Sequence, residues 1–150
     1  MQSTAEELLA AVEAAAGRFR KLDEPVTARR PAPGKWSAKD VLGHLIDSAT
    51  NNHQRFVRAQ LAGPLVFPGY EQDAWVVCQD FGSRPWLELV ELWRQYNRHL
   101  AHLMRRLPAE RRENECRIGD NAPVTLAWLM TDYVRHLQHH LGQIDGLTGP

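Results

Sequence analysis

Asp132-Tyr133-Val134-Arg135-His136-Leu137-Gln138-His139-His140-Leu141-Gly142-Gln143 carries two signals at once. Tyr133, Leu137 and Leu141 recur at helical spacing, with Leu126, Leu129 and Met130 before them and Ile144 after. That stripe marks a helix laid against other helices. His136 and His140 stand on its edge, one turn apart on one side. Two imidazoles so placed can share a metal ion, but two are too few for a stable site. The residue after His136 is Leu137, not glutamate, so a His-Glu-x-x-His protease motif is excluded. His139 is turned by about 100° from His140 and should point elsewhere. Thr125 is the expected N-cap of this helix, which runs to about Leu147 and is closed by Gly146 and Gly149-Pro150.

Three further helical patterns precede it. The first runs from Thr4 to about Leu22, opened by a Ser3/Glu6 capping box and striped by Leu8, Leu9, Val12, Ala15, Ala16, Phe19 and Leu22. Pro25 and Pro31-Ala32-Pro33-Gly34 then impose a loop. Ser37, with Asp40 three residues on, caps the second helix. Its core residues are Val41, Leu42, Leu45, Ile46 and Ala49, extended by Phe56, Val57 and Leu61 to Gly63-Pro64. The third begins near Ser83, with Pro85 in its first turn, and ends at Leu107-Pro108. Leu89, Leu92, Trp93, Tyr96, Leu100, Leu103 and Met104 form its core face.

Residues 64–84 read as an irregular, aromatic-bearing connection with a short helix in its second half. Residues 108–124 are polar and turn-rich, and no segment reads as a convincing strand. The expectation is an all-α protein, a single domain over residues 1–150. It is a four-helix bundle with a long crossover connection after the second helix.

Eighteen basic and 18 acidic residues give a formal net charge of +0, without the basic excess of a nucleic-acid binder. No apolar run approaches the ~20 residues of a membrane helix. The first residues carry no positive segment of a secretory signal, so a cytoplasmic protein is expected. Cys78 and Cys116 are isolated and form no Cys-x-x-Cys pair. His99 and His102 lack a neighbouring carboxylate at a telling offset, and their place beside Arg98, Arg105 and Arg106 fits a surface.

The second helix also carries His44, Asp47, Asn51 and Arg55, a polar set on one side, next to the apolar stripe. His44 is therefore a candidate third donor for His136 and His140. Asp47, one turn on, and Asn51 could orient a water or a ligating imidazole, and Asp132 is a second carboxylate candidate.

Trp36-Ser37-Ala38-Lys39-Asp40-Val41-Leu42-Gly43-His44-Leu45-Ile46-Asp47-Ser48, followed by Asn51 and Arg55, resembles the second-helix motif of the DinB-like superfamily, and within it the YfiT-like group of metal-dependent hydrolases. His136 to Ile144 resembles that family's last-helix motif, and Gly69-Tyr70-Glu71-Gln72-Asp73-Ala74-Trp75 and the Trp93 helix also fit. The resemblance spans nearly the whole chain. It implies a bundle in up-down-down-up order, often homodimeric, with a divalent metal on His44, His136 and His140. His139 is then the spare histidine.

Imidazole ligands suit zinc or nickel foremost, with iron as a further candidate. Three neutral ligands leave such an ion able to acidify water or to hold a substrate oxygen or sulfur. The resemblance thus implies a metal-dependent enzyme acting on a small molecule, either a hydrolase or a transferase using a low-molecular-weight thiol. Any general base must come from outside the His136 turn, and Asp47 and Asn51 are the catalytic candidates. The alternative is a metal-binding stress or interaction protein without turnover. A ferritin-like di-metal oxidase is excluded, because it needs Glu-x-x-His pairs that the sequence lacks.

Overall fold

The computed structural model describes residues 1–61 and 64–149. In chain order its helices are α1 (Gln2–Phe19), α2 (Glu24–Ala28), α3 (Ala38–Leu61), α4 (Gln72–Gln79), α5 (Trp86–Arg106) and α6 (Leu126–Thr148). Three short strands, β1 (Leu65–Phe67), β2 (Glu115–Ile118) and β3 (Val124–Thr125), lie in the connections.

Long-range bonds give the helix directions. Arg20 pairs with Glu91 while Arg94 and Arg98 pair with Glu13, so α1 and α5 are antiparallel. Lys39 binds the Gly82 and Arg84 carbonyls ahead of α5, and His53 reaches Tyr96 within it, so α3 and α5 are parallel. His44 meets His136 and His140, while Phe56 meets Tyr133, so α3 and α6 are antiparallel. Gln138 bonds Glu7 and Arg18 bonds Asp145, making α1 and α6 parallel. The order is up-down-down-up, and the fold is a four-helix bundle.

The apolar stripes meet in the middle. Phe19 packs on Trp86 and Trp93, with ring centroids 5.5 and 6.0 Å apart, and the Trp86 indole N–H donates to the Phe19 carbonyl at 2.7 Å. Burying a large aromatic side chain gives the strongest single contributions to such a core. Leu92, expected in the core, is 39% exposed, whereas Trp86, Val90, Asn97 and Ala101 are buried. The buried face of α5 is thus rotated slightly from the one expected.

Two helix starts follow the sequence signals. Ser37 and Asp40 cap α3 reciprocally, through Ser37 N–H to Asp40 Oδ2 at 2.8 Å and Asp40 N–H to Ser37 Oγ at 3.2 Å. Thr125 Oγ1 accepts the Trp128 N–H at the head of α6. The Ser3 cap is not used: α1 starts at Gln2 with Met1 at the N-cap, and Gln2 takes the Glu6 carboxylate instead. Met1 packs against the core beside this start. α1 also ends at Phe19, earlier than expected, and the loop around Pro25 contains α2 with proline in its first turn. α5 starts at Trp86 rather than near Ser83, which lies in a preceding 3-10 turn, Phe81–Ser83. Gly63 and Pro150, offered by the sequence as helix terminators, lie outside the described residues.

The strands correct the reading that none is present. β1 pairs parallel with β2, and β2 antiparallel with β3, so the crossover and the polar 108–124 segment are joined in one small sheet. Strands of two to four residues are too short to display a period in sequence.

Gly43 fixes the crossover's far end. A Cβ there would lie 2.1 Å from the Phe81 ring, so the turn after α4 can seat on α3 only against a glycine. Asp80, in the left-handed region at φ 47°, directs the chain into that turn.

Candidate metal centre

Three imidazoles converge between α3 and α6. His136 Nε2 lies 3.3 Å from His44 Nε2 and 3.1 Å from His140 Nε2, and one ligating nitrogen from each of the three falls within 4.8 Å of the others. The antiparallel pairing of α3 and α6 brings residue 44 opposite the 136–140 turn. Trp36 stacks 5.3 Å from the His44 ring on one side, and Tyr70 lies 6.5 Å away on another.

The ring nitrogens are electronically prepared. Burial, with the His140 and His136 rings adding to it, lowers the pKa of His44 to about 3. Burial likewise lowers His136 to about 4, with His140 adding to the effect and Asp132 opposing it. His140 is lowered mainly by burial, with the Gln143 bond opposing. All three are therefore neutral near pH 7.

His140 Nδ1 sits 2.9 Å from Gln143 Oε1, a carbonyl that can only accept. The proton is thus on Nδ1, and the Nε2 lone pair faces the other two rings. One N–H···N bond can satisfy one pair of nitrogens and leaves the third lone pair opposed.

A shared cation removes that conflict, and the spacing agrees. Two nitrogens at 2.0–2.1 Å from a tetrahedral ion stand about 3.4 Å apart. The residues present therefore fit a divalent metal on three neutral imidazoles.

His44 and His136 line one end of a cleft of about 200 Å3 between α3 and α6. Down α3 it is lined by His44, Ser48, Asn52 and Arg55, and back along α6 by Leu129, Asp132, Tyr133 and His136, with Tyr70 and Gln72 from the crossover. Asn52 Nδ2 donates to the Ser48 carbonyl at 2.9 Å, which fixes the amide in the cleft wall. Burial pushes the Tyr70 hydroxyl up to about 12, with Asp47 contributing and Arg55 opposing, so it stays protonated.

The stripe His44, Asp47, Asn51 and Arg55 is buried throughout. His44 and Arg55 line the cleft, but Asp47 and Asn51 do not. Asp47 Oδ1 accepts from Gln79 Nε2 at 2.7 Å, while its Oδ2 is buried without a partner, and burial raises its pKa. Asn51 Nδ2 donates to the Asp47 carbonyl at 2.9 Å. His139 is exposed, as are His99 and His102.

Sequence reasoning missed Ser48, Asn52, Gln79 and Gln143. Ser48 and Asn52 follow His44 at successive four-residue steps, and Gln143 stands one turn past His140. These are legible signals once the direction of the facing helix is known.

The comparisons with known proteins agree with this architecture. A Bacillus subtilis structure described as a probable metal-dependent hydrolase, YfiT, with an unusual four-helix bundle topology, superposes with a TM-score of 0.80 at 22% identity, covering 97% of this chain and 82% of that one. This likeness shows a shared fold. A curated relative from Oceanobacillus iheyensis, named Putative metal-dependent hydrolase OB0413, is 23% identical over 111 residues, which are 74% of this chain and 64% of the relative's length. The DinB superfamily pattern matches residues 5–144, nearly the whole length over which the bundle and its histidines were traced. The chain belongs to the DinB superfamily.

Proposed function

We propose that this protein is a metal-dependent hydrolase of small molecules, holding one divalent ion on His44, His136 and His140. The observation that carries the reading is the convergence of three neutral imidazole nitrogens at the end of an open cleft. Three protein ligands with an accessible face are the arrangement of catalytic rather than structural zinc sites. Zinc or nickel suits the donor set best, with iron as a further candidate. The three ligands and the cleft residues named above come from one chain.

The bound ion supplies Lewis acidity toward the substrate. The chain's own groups do the rest. The Tyr70 hydroxyl donates a hydrogen bond into the cleft, and Ser48 and Asn52 offer polar contacts along its wall. Asp132, half-buried in the lining, accepts the proton lost by the attacking nucleophile. Asp47 and Asn51 act one layer back: Asn51 fastens the Asp47 carbonyl, and Asp47 fastens Gln79, which keeps α4 seated beside Tyr70. Gln143 holds the His140 tautomer.

Metal analysis of untagged protein tests the ligand set, with His44→Ala and His140→Ala as controls. Full metal content in both variants would sink it. Assay of the loaded protein on simple esters and amides tests hydrolysis, and a low-molecular-weight thiol with an electrophile tests the transferase relation. Turnover only with the thiol would move the reaction class from hydrolase to transferase. Metal binding with neither turnover is the result expected of the non-catalytic alternative.

A further inference from the structure

Two basic residues of α3 are buried, and they are treated differently. Lys39 is 5% exposed, and its ammonium meets the Glu24 carboxylate at 2.6 Å and the carbonyls of Arg84 and Gly82 at 2.7 and 3.3 Å. Arg55 is 8% exposed and has no ion pair or hydrogen bond among the described residues. Its Nε is buried without a partner, and its guanidinium rests 5.5 Å from the centre of the Phe67 ring. Arginine stays charged even when buried, and leaving a buried charge unpaired is strongly unfavourable. A cation kept in that state at a cleft wall is poised for an anion from outside.

Arg55 stands about three turns beyond His44 on α3, ~16 Å along the axis, at the far end of the histidine cleft. It also lines a second chamber of about 440 Å3, whose walls include Ile118, Val124 and Trp128. Arg55, Leu129 and Asp132 are common to both chambers, so the two adjoin at these residues. The second chamber's walls come from the β2–β3 hairpin and the first turn of α6.

We propose that Arg55 is an anion-binding residue, and that the substrate carries one carboxylate with an apolar group beyond it. The reacting end lies toward the histidines, the carboxylate pairs with Arg55, and the apolar group fills the chamber against Trp128. A planar guanidinium matches a carboxylate in two parallel hydrogen bonds. Asp132, which lines both chambers and is paired with Arg135, adds a carboxylate at the same junction and favours a monoanion over a doubly charged phosphate. This inference names the substrate class of the site proposed above, and so rests on that reading for the reacting end only.

The test is calorimetric titration of the full-length, metal-loaded protein with 4-phenylbutyrate, 4-phenylbutan-1-ol and 3-phenylpropylphosphonate, with metal content measured on the same samples. The carboxylate is expected to bind about tenfold more tightly than the alcohol and more tightly than the phosphonate. Arg55→Gln, at unchanged metal content, is expected to bring the acid and the alcohol within about twofold of each other. Equal binding of acid and alcohol to the wild type overturns the proposal, as does an acid preference that survives Arg55→Gln. Tighter binding of the phosphonate overturns the monoanion assignment. If Arg55→Gln does not fold, chelator-treated wild type decides: the preference must persist without metal. A persistent preference in protein that never takes up metal would remove the metal reading and leave the anion site standing.

Discussion

Around α5, where it packs on α1 and α6, buried polar atoms have partners, Trp93 Nε1 excepted. Trp86 donates to the Phe19 carbonyl, buried Asn97 joins the Tyr133 hydroxyl to the Trp93 carbonyl, and Glu13 takes both Arg94 and Arg98. On α3, by contrast, His44 Nδ1 and Arg55 Nε at the cleft and Asp47 Oδ2 beside α4 are buried with none. Three of the four such atoms among the described side chains thus lie on α3, and the fourth, Trp93 Nε1, lies in the α1–α5 core. The first region is arranged for stability and the second carries unmet polar demand, the usual mark of a site that awaits something. If that division is real, substitutions in the two regions should change different observables.

The largest effect is expected from His44→Ala, which should abolish stoichiometric metal binding, an affinity loss greater than about 100-fold. Its metal-free melting temperature should stay within a few degrees of wild type, since a buried, unpaired nitrogen is removed. A melting temperature that collapses with the metal site would break the division. Trp86→Ala should do the reverse. It should cost about 3–5 kcal/mol of unfolding free energy in denaturant titration while the folded protein keeps its metal affinity. Gly43→Ala tests the seam between the regions. With Phe81 forced to move, it should cost about 1–3 kcal/mol and weaken metal binding as well, measured by the same two assays. Gln143→Leu is the smallest, about a tenfold loss of metal affinity with little change in stability, because the His140 proton is no longer fixed.

Acid offers a further way to sharpen the contrast. The His44 and His136 pKa values are lowered from 6.5 to about 3 and about 4 in the folded state. Below pH 6.5 the unfolded chain therefore takes up protons that the folded chain does not. Metal-free stability should fall with acid across the window from about 6.5 down to 3–4, and level off at neutral pH. The check is the urea midpoint against pH. A His44→Ala/His136→Ala double variant should flatten the curve, and equal acid sensitivity in the variant would assign the loss to other groups.

The bundle was legible because it rests on long periods: each of the four long helices shows an apolar stripe, and Ser37-Asp40 and Thr125 mark two of the starts. The small sheet was not, since β1 finds its partner only across α4 and α5. The convergence of His44 with His136 and His140 could be named as a candidate from one helix at a time. The side of α3 that faces the cleft could not. On α3, Asp47 lies about 60° to one side of His44 and Ser48 about 40° to the other. Only the position of α6 decides that Ser48 and Asn52 enter the cleft while Asp47 turns toward Gln79. Gly43 gave no sign of its role either, because its need comes from Phe81, on the far side of a crossover.

The parallel pairing of β1 with β2 has a consequence for the order of assembly. Leu65 finds Cys116 only after α4 and α5 have been laid down between them. Parallel strands joined through an intervening helix are non-local contacts, which form slowly because loop closure precedes the gain. The packed face of α1 and α5 can consolidate without that sheet, whereas the β2–β3 wall of the chamber beside Arg55 is anchored to the crossover only through that pairing. The binding surface is thus fastened to the crossover after the core has formed. A chain slowed at that last step would be helical and compact before it could recognise its ligand.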